Sequence, residues 1–293
     1  MISRTNAKRL PTWFKVRLTT TKNSSSVRNV IESKKLHTVC LSAGCPNRGE
    51  CWNAGTATFM ILGNVCSRNC SFCAVPKGRP EEVDQDEPIR VAEAVGALGL
   101  RYLVVTSVTR DDLPDGGATH FAATIRAIRE RQPGCRVEAL IPDFQGCSVC
   151  LDMVLAAKPD VLNHNLETVP SLYSAVRPQA DYQRSLQLIA RAARAGVVTK
   201  SGLMLGLGEE TGELLSVLHD LRRAGCTMLT LGQYLQPART GRPVQRFYHP
   251  REFDELREQA LLLGFRSVSA GPLVRSSYHA AEQRAEMERG VAR

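Results

Sequence analysis

From residue 88 to residue 269 the chain alternates between two patterns of apolar and polar positions. Apolar residues spaced three and four apart predict helices over 88–98, 118–132, 148–157, 181–195, 211–224 and 250–263. Between them, short uninterrupted apolar runs predict strands over 102–108, 136–141, 161–165, 198–205, 228–233 and 265–269. Strands that are apolar throughout are expected where helices cover both faces of a sheet. An earlier run, Thr58-Phe59-Met60-Ile61-Leu62-Gly63, has the same character. Ahead of it residues 1–35 form a polar lead-in with one short helix predicted over 26–35, capped from Ser24 to Ser26. A polar, proline-flanked segment fills residues 76–87, and the end of the chain reads as a frayed, charged helix with no role of its own. The repeated strand–helix units contain no Gly-x-Gly-x-x-Gly turn, which favours a barrel over a dinucleotide-binding fold. The expected fold is therefore α/β, a partial (βα)6 TIM-type barrel with N-terminal and C-terminal extensions. The expected boundaries are residues 1–56, 57–270 and 271–293.

In such barrels the reacting groups sit on loops after the strand ends. Those loops carry residues 66–73, Thr109-Arg110-Asp111-Asp112, Glu167, Gly208-Glu209 and Tyr234. With 43% hydrophobic residues, a chain of 293 residues has enough apolar material for a core. No run of eighteen apolar residues occurs, so no membrane span is expected. A net charge of +9 would suit nucleic acid, anionic lipid or an acidic protein. Aromatic residues are only 5% and no block of five basic residues occurs, which argues against a nucleic-acid platform. Residues 1–31 lack any acid and resemble an organelle transit peptide, but the stretch is short and Trp13-Phe14-Lys15-Val16-Arg17 reads as folded chain. It has no apolar signal region either, and a cytoplasmic location is expected.

Ten cysteines change the picture, because six of them fall between Cys40 and Cys73. In a reducing compartment such clusters are metal ligands sooner than disulfides. Cys66, Cys70 and Cys73 form a C-x3-C-x2-C run just after the first apolar segment. Cys40, Cys45 and Cys51 form a C-x4-C-x5-C run in what reads as a turning loop, with Gly44, Pro46, Asn47 and Gly49. Each trio is one short of the four ligands that close a structural zinc site. Three thiolates on a four-iron cluster instead leave one iron open to an outside ligand. Two incomplete trios point to two centres, one before the first strand and one after it.

The spacing of Cys66, Cys70 and Cys73, with Phe72 before the last, resembles the cluster motif of the radical S-adenosylmethionine (SAM) superfamily. The chain as a whole resembles the lipoyl synthase family, from about Pro11 to Ala280. The resemblance rests on both trios together with Lys35-Leu36-His37-Thr38-Val39-Cys40, Thr106-Ser107-Val108, Arg110-Asp111-Asp112-Leu113-Pro114-Asp115-Gly116-Gly117, Asn163-His164-Asn165, Leu231-Gly232-Gln233-Tyr234-Leu235-Gln236-Pro237 and Arg275-Ser276-Ser277-Tyr278. It implies a [4Fe–4S] cluster on Cys66, Cys70 and Cys73 that binds SAM. It implies an auxiliary [4Fe–4S] cluster on Cys40, Cys45 and Cys51, carried by the extensions. Ser277 would be the fourth auxiliary ligand, with Ser276 the alternative. The implied activity is that of a sulfurtransferase. Two sulfurs, drawn from the auxiliary cluster, enter C6 and C8 of a protein-bound octanoyl-lysine. The implied partners are octanoylated lipoyl carrier domains (2-oxoacid dehydrogenase E2 subunits and the glycine cleavage H protein), a reduced ferredoxin or flavodoxin, and an iron–sulfur carrier. Neither nucleic acid nor membrane is implied.

Phe72, Thr109, Asn165, Glu167 and Arg177 are then placed to bind SAM, with an Arg–carboxylate fork expected for Arg177. His37 is not expected to be a ligand. Arg110, Asp111 and Asp112 are expected to form a structural ion-pair cluster. The loop Leu41-Ser42-Ala43-Gly44 departs from the family, which usually carries acidic residues there. Cys135, Cys147, Cys150 and Cys226 have no family role. Cys147-Ser148-Val149-Cys150 reads as buried, inert cysteines before a third metal site or redox pair. The rival readings are a biotin-synthase-like or methylthiotransferase-like enzyme, which the trio of Cys40, Cys45 and Cys51 argues against, and a zinc-stabilised nucleic-acid-binding module.

Overall fold

The computed structural model describes residues 10–14, 22–238 and 241–291. The N-terminal part holds α1 (Lys22–Ser33), β1 (His37–Thr38), α2 (Val39–Ser42), α3 (Arg48–Asn53) and β2 (Thr58–Ile61). Then follow α4 (Glu87–Ala97), β3 (Tyr102–Ser107), α5 (Ala118–Arg131), β4 (Arg136–Leu140), α6 (Ser148–Ala156), β5 (Val161–Asn163), α7 (Tyr173–Val176) and α8 (Tyr182–Arg194). The chain continues with β6 (Val198–Leu205), α9 (Thr211–Arg223), β7 (Met228–Gln233), α10 (Pro250–Leu262), β8 (Ser267–Gly271) and α11 (Ala280–Val291). The strands lie in one sheet in chain order, β1 to β8. β2 to β8 are parallel, and β1 alone runs antiparallel, pairing His37 with Met60 and Thr38 with Phe59. Six strand–helix units thus run from β2 to α10, followed by β8, in the α/β arrangement that the alternation predicts.

Short apolar strands suit this layout because their side chains meet helices outside and one another inside. β2, β5 and β7 are buried along their whole length. The interior also holds a fully buried ion pair, Lys200 Nζ to Glu138 Oε1 at 3.1 Å. Tyr102 Oη and Asn163 Nδ2 donate to the same carboxylate at 2.7 and 2.9 Å, which satisfies a charge that would otherwise be costly to bury.

Several boundaries differ from the sequence reading. The first helix starts at Lys22, so Ser24 to Ser26 lie inside it and do not cap it. The last strand begins at Ser267 instead of residue 265, because pairing to β7 starts at Ser267 and Met228 while Phe265 is buried before it. The turning loop of Cys40, Cys45 and Cys51 is two short helices, α2 and α3, with a turn at Gly44 in the left-handed region (φ 57°). The tail is not frayed. Met287 is buried with Val161 and Met228 at the N-terminal ends of β5 and β7, and Gln283 Nε2 donates to Leu229 O at 2.9 Å. In the lead-in, Phe14 is buried and stacks edge-on against Phe247, while Lys15, Val16 and Arg17 lie outside the described residues. Among the described residues, no helix is long and apolar enough to cross a membrane.

Candidate active site

The first trio lies on the loop that leaves the C-terminal end of β2. Backbone bonds stitch this loop to its neighbours. Cys66 N–H donates to Pro76 O at 2.8 Å, and Ser71 N–H to Val176 O at 2.9 Å. Ser67 donates to Thr109 O through both its amide and its hydroxyl, and Thr109 N–H reaches Cys66 Sγ at 3.4 Å. Arg68, between the first two cysteines, is buried. Its Nε donates to Asp111 at 2.6 Å, and its Nη2 to Asp143 at 2.5 Å. Burial alone would raise the Asp143 carboxyl, but the Arg68 guanidinium holds it down at about 2. Arg110 pairs with Asp112 at 2.8 Å, so the acidic loop after β3 is an ion-pair cluster, as expected.

The second trio is carried to the same rim by the β1–β2 pairing. Thr38, at the end of β1, caps α2, which bears Cys40, and α3 bears Cys51. The segment after β8 then crosses over to meet it. Asn47 Nδ2 donates to Leu273 O at 2.7 Å, Thr58 Oγ1 to Ser277 Oγ at 2.7 Å, and Tyr278 Oη to Glu50 at 2.9 Å. The crossing depends on Gly232 in β7. A Cβ there would stand 2.1 Å from the Val274 carbonyl oxygen.

Both trios open onto one cavity of about 890 Å3. Cys40, Cys45, Cys66, Cys70 and Cys73 line it, as do Ser276, Ser277, Phe72, Thr109, Asn165, Glu167 and Arg177. Cys51 sits behind the lining and partly buried, with Cys40 and Cys45 among the charges acting on it. Apolar walls come from Met60, Val75, Leu235, Val244 and Phe247.

The Radical SAM superfamily pattern matches residues 60–221, more than half of the chain. A lipoyl synthase of Koribacter versatilis is 57% identical over 275 residues, 93% of this chain and 90% of that one. One of Rubrobacter xylanophilus is 54% identical over 283 residues, 96% of this chain and 88% of that one. The chain belongs to the lipoyl synthase family. In fold it is also similar to methylornithine synthase, with a TM-score of 0.55 at 14% identity over 86% of this chain and 72% of that one.

For a lipoyl synthase, the cavity has to accept two clusters and SAM, and its polar atoms fit that demand. Among the described residues, the Asn165 Oδ1, His164 Nε2, Ser107 Oγ and Arg177 Nε atoms are buried without a hydrogen-bond partner, and all four residues line the cavity. Buried polar atoms without partners are rare unless a bound group satisfies them. His164 Nδ1 is bonded to Ile141 O at 2.9 Å, and burial lowers its pKa to about 4. The neutral ring therefore offers Nε2 as an acceptor. Arg177 donates from Nη1 to the carbonyls of Asn165 and Leu166, at 2.8 and 3.0 Å, which fixes the side chain at the cavity. Glu167 holds a left-handed φ of 66°. Its amide donates to Gly202 O and its carbonyl accepts from Met204 N, a strained conformation that β6 enforces next to the site. Burial raises its carboxyl pKa although Arg177 opposes the shift.

The thiols themselves are soft, sulfur-only donor sets suited to iron–sulfur clusters. Among the described residues, no three His, Cys, Asp or Glu side chains are gathered as for a single metal ion. Burial pushes Cys51 up to about 12 and Cys70 to about 11, and also raises Cys40 and Cys73. Metal binding must therefore displace protons. The two serines of the family segment part company here. Ser276 Oγ accepts from Asn165 Nδ2 at 2.5 Å on the side of the first trio. Ser277 meets Thr58, whose backbone amide also bonds Cys40.

Some sequence candidates fall outside the cavity. The Glu209 carboxylate accepts from the amides of Gly206, Leu207 and Gly208, so it fastens its own loop. His37, not expected to be a ligand, sits in β1 and does not line the cavity. Arg68, Asp143, Asn47 and His164 were given no role by the sequence. The partners of Arg68 lie 43 and 75 residues away, and that of Asn47 lies 226 away, beyond any local pattern.

Proposed function

We infer that this chain is a radical SAM sulfurtransferase, a lipoyl synthase that inserts two sulfur atoms at C6 and C8 of a protein-bound octanoyl-lysine to give lipoyl-lysine. The observation that carries this reading is the shared cavity: Cys66, Cys70 and Cys73, two thiols of the other trio (Cys40 and Cys45), and Arg275, Ser276 and Ser277 line one largely apolar space. Cys66, Cys70 and Cys73 would hold the SAM-binding cluster. Cys40, Cys45, Cys51 and Ser277 would hold the auxiliary cluster, the source of sulfur. When bound, these groups supply a carbon radical and sulfur, because no side-chain acid or base removes hydrogen from an alkane carbon. The chain's own residues do the rest. Phe72, Thr109, Asn165, Glu167 and Arg177 bind and orient SAM. Met60, Val75, Leu235, Val244 and Phe247 hold the acyl chain and keep water away from it.

The substrate is an octanoylated lipoyl domain, of an E2 subunit or the glycine cleavage H protein, and electrons come from a reduced ferredoxin or flavodoxin. An iron–sulfur carrier rebuilds the auxiliary cluster, and the location is cytoplasmic. In this reading the net charge of +9 attracts an acidic carrier, so binding should weaken as salt rises. The division into a 1–56 extension, a 57–270 barrel and a 271–293 extension follows the same reading.

The test is formation of lipoyl-lysine and 5′-deoxyadenosine from SAM and an octanoylated carrier peptide, with about eight irons per chain after anaerobic purification. Cys70→Ala should abolish SAM cleavage. Cys45→Ala should retain cleavage and lose sulfur insertion, and intact insertion in that variant would refute the donor assignment.

A further inference from the structure

The motif Cys147-Ser148-Val149-Cys150 takes no part in the chemistry above. We propose that it is a thiol–disulfide exchange site that accepts electrons from a dithiol carried on an alkyl chain. The two cysteines are joined as a disulfide, their Cα atoms 5.3 Å apart. The pair is asymmetric. Cys147 is exposed and Cys150 is buried, which corrects the expectation of two buried, inert thiols. Cys135 and Cys226, by contrast, are both buried and unpaired with any other cysteine.

This asymmetry sets the order of bond changes. An incoming thiolate reaches Cys147 Sγ and forms a mixed disulfide there, and Cys150 leaves and takes a proton. The second thiol of the donor then attacks the donor's own sulfur in that mixed disulfide. The donor closes to a cyclic disulfide, and Cys147 leaves as a thiolate and is protonated in turn. Two electrons and two protons pass from the dithiol to the cysteine pair, and no other reactant is needed. Cys147 is built for the second departure. It caps α6, and its sulfur accepts from the Cys150 amide at 3.3 Å, at the end of the helix that favours negative charge.

Two further observations choose the donor. Val149 and Met153, four residues apart on α6, are 61% and 38% exposed, so the helix that Cys147 begins carries an exposed apolar stripe. That suits a thiol on a hydrocarbon chain better than a charged tripeptide. Neither cysteine lines the cavity, but the pair follows β4, whose exit residues Leu140, Ile141 and Pro142 do, so it lies at the end of the barrel where, on the proposed function, the product forms. A chain bearing sulfur at C6 and C8 is, when reduced, a dithiol of this class.

The experiment uses the cluster-loaded protein, oxidised with glutathione disulfide and desalted. It is then treated with dihydrolipoamide or with glutathione at equal thiol concentration, alkylated, and digested with trypsin. The fragment that starts at Val137 carries Cys147 and Cys150 as its only cysteines. Dihydrolipoamide should yield the doubly alkylated fragment and one lipoamide per chain, about tenfold or more faster than glutathione, because its second thiol reacts intramolecularly. Cys150→Ser should take up glutathione from its disulfide at Cys147, and Cys147→Ser should not. The proposal is overturned if the pair fails to oxidise, if glutathione reduces it as fast as dihydrolipoamide, or if both serine variants take up glutathione alike. None of these readouts depends on which residues hold the clusters.

Discussion

Gly232 should be a sensitive position for the auxiliary site, although it is not one of the proposed ligands. Replacing it with alanine places a methyl 2.1 Å from the Val274 carbonyl oxygen and 3.0 Å from its carbon. The obstacle is backbone, so one segment must retreat by about 1 Å, at a cost of about 1–3 kcal/mol. β7 is hydrogen-bonded on both sides, to β6 and β8, so the segment after β8 is the one that yields. A retreat of that size stretches the Thr58–Ser277 bond from 2.7 Å to about 3.7 Å, outside hydrogen-bond range. Gly232→Ala should therefore fall from about eight irons per chain toward about four, on anaerobic iron and sulfide analysis. Displacements of this size can cost about 100-fold in rate, and that loss should fall on sulfur insertion while SAM cleavage persists. Full iron content with undiminished lipoyl formation would refute the reasoning. So would equal loss of both activities, which would mean that the methyl acts on the fold and not on the crossing segment.

The serine pair gives a second test. Ser277→Ala should keep SAM cleavage and lose sulfur insertion, while Ser276→Ala, which leaves Asn165 Nδ2 bonded to Glu167 alone, should raise KM for SAM by about fivefold to tenfold. The opposite pattern in steady-state assays would exchange their roles. Asp143→Asn should cost about 2 kcal/mol in urea unfolding, because the carboxyl is depressed from 3.8 to about 2 by Arg68. A depressed carboxyl stabilises the fold above its unfolded value. The gap between wild type and Asp143→Asn should thus hold constant above about pH 4 and close as pH falls toward about 2. A gap that widened on acidification would reverse the sign and refute the pairing. Met287→Ala should lower stability by about 2–4 kcal/mol through the cavity left beneath β5 and β7, with iron content unchanged. No change in thermal unfolding would mean that α11 is not docked there.

The features that were legible in the sequence are those whose signal lies within a few residues. Helix and strand periods, and the spacing of Cys66, Cys70 and Cys73, are properties of the local backbone, so six strand–helix units and a cluster loop after β2 could be placed without coordinates. Asp181, which begins a predicted helix, caps α8 through the Arg184 amide at 2.7 Å for the same local reason. Short helices were less legible. α2 and α3 carry too few residues to show a period, and Gly44 and Pro46 dominated the reading of that loop.

Tertiary structure decided everything that depends on chain segments meeting. Only the β1–β2 pairing and the crossing after β8 bring the two thiol trios to one cavity, joining residues as far apart as Thr58 and Ser277, 219 positions away. Only burial distinguishes Cys147 from Cys150, and only a shared apolar interior turns a charged tail into a helix docked by Met287. The ligand types and their spacing are written along the chain because they are chemistry held by neighbouring residues. Which ligands face each other is set by strand register and by which surfaces leave water together, and no stretch of sequence carries that by itself.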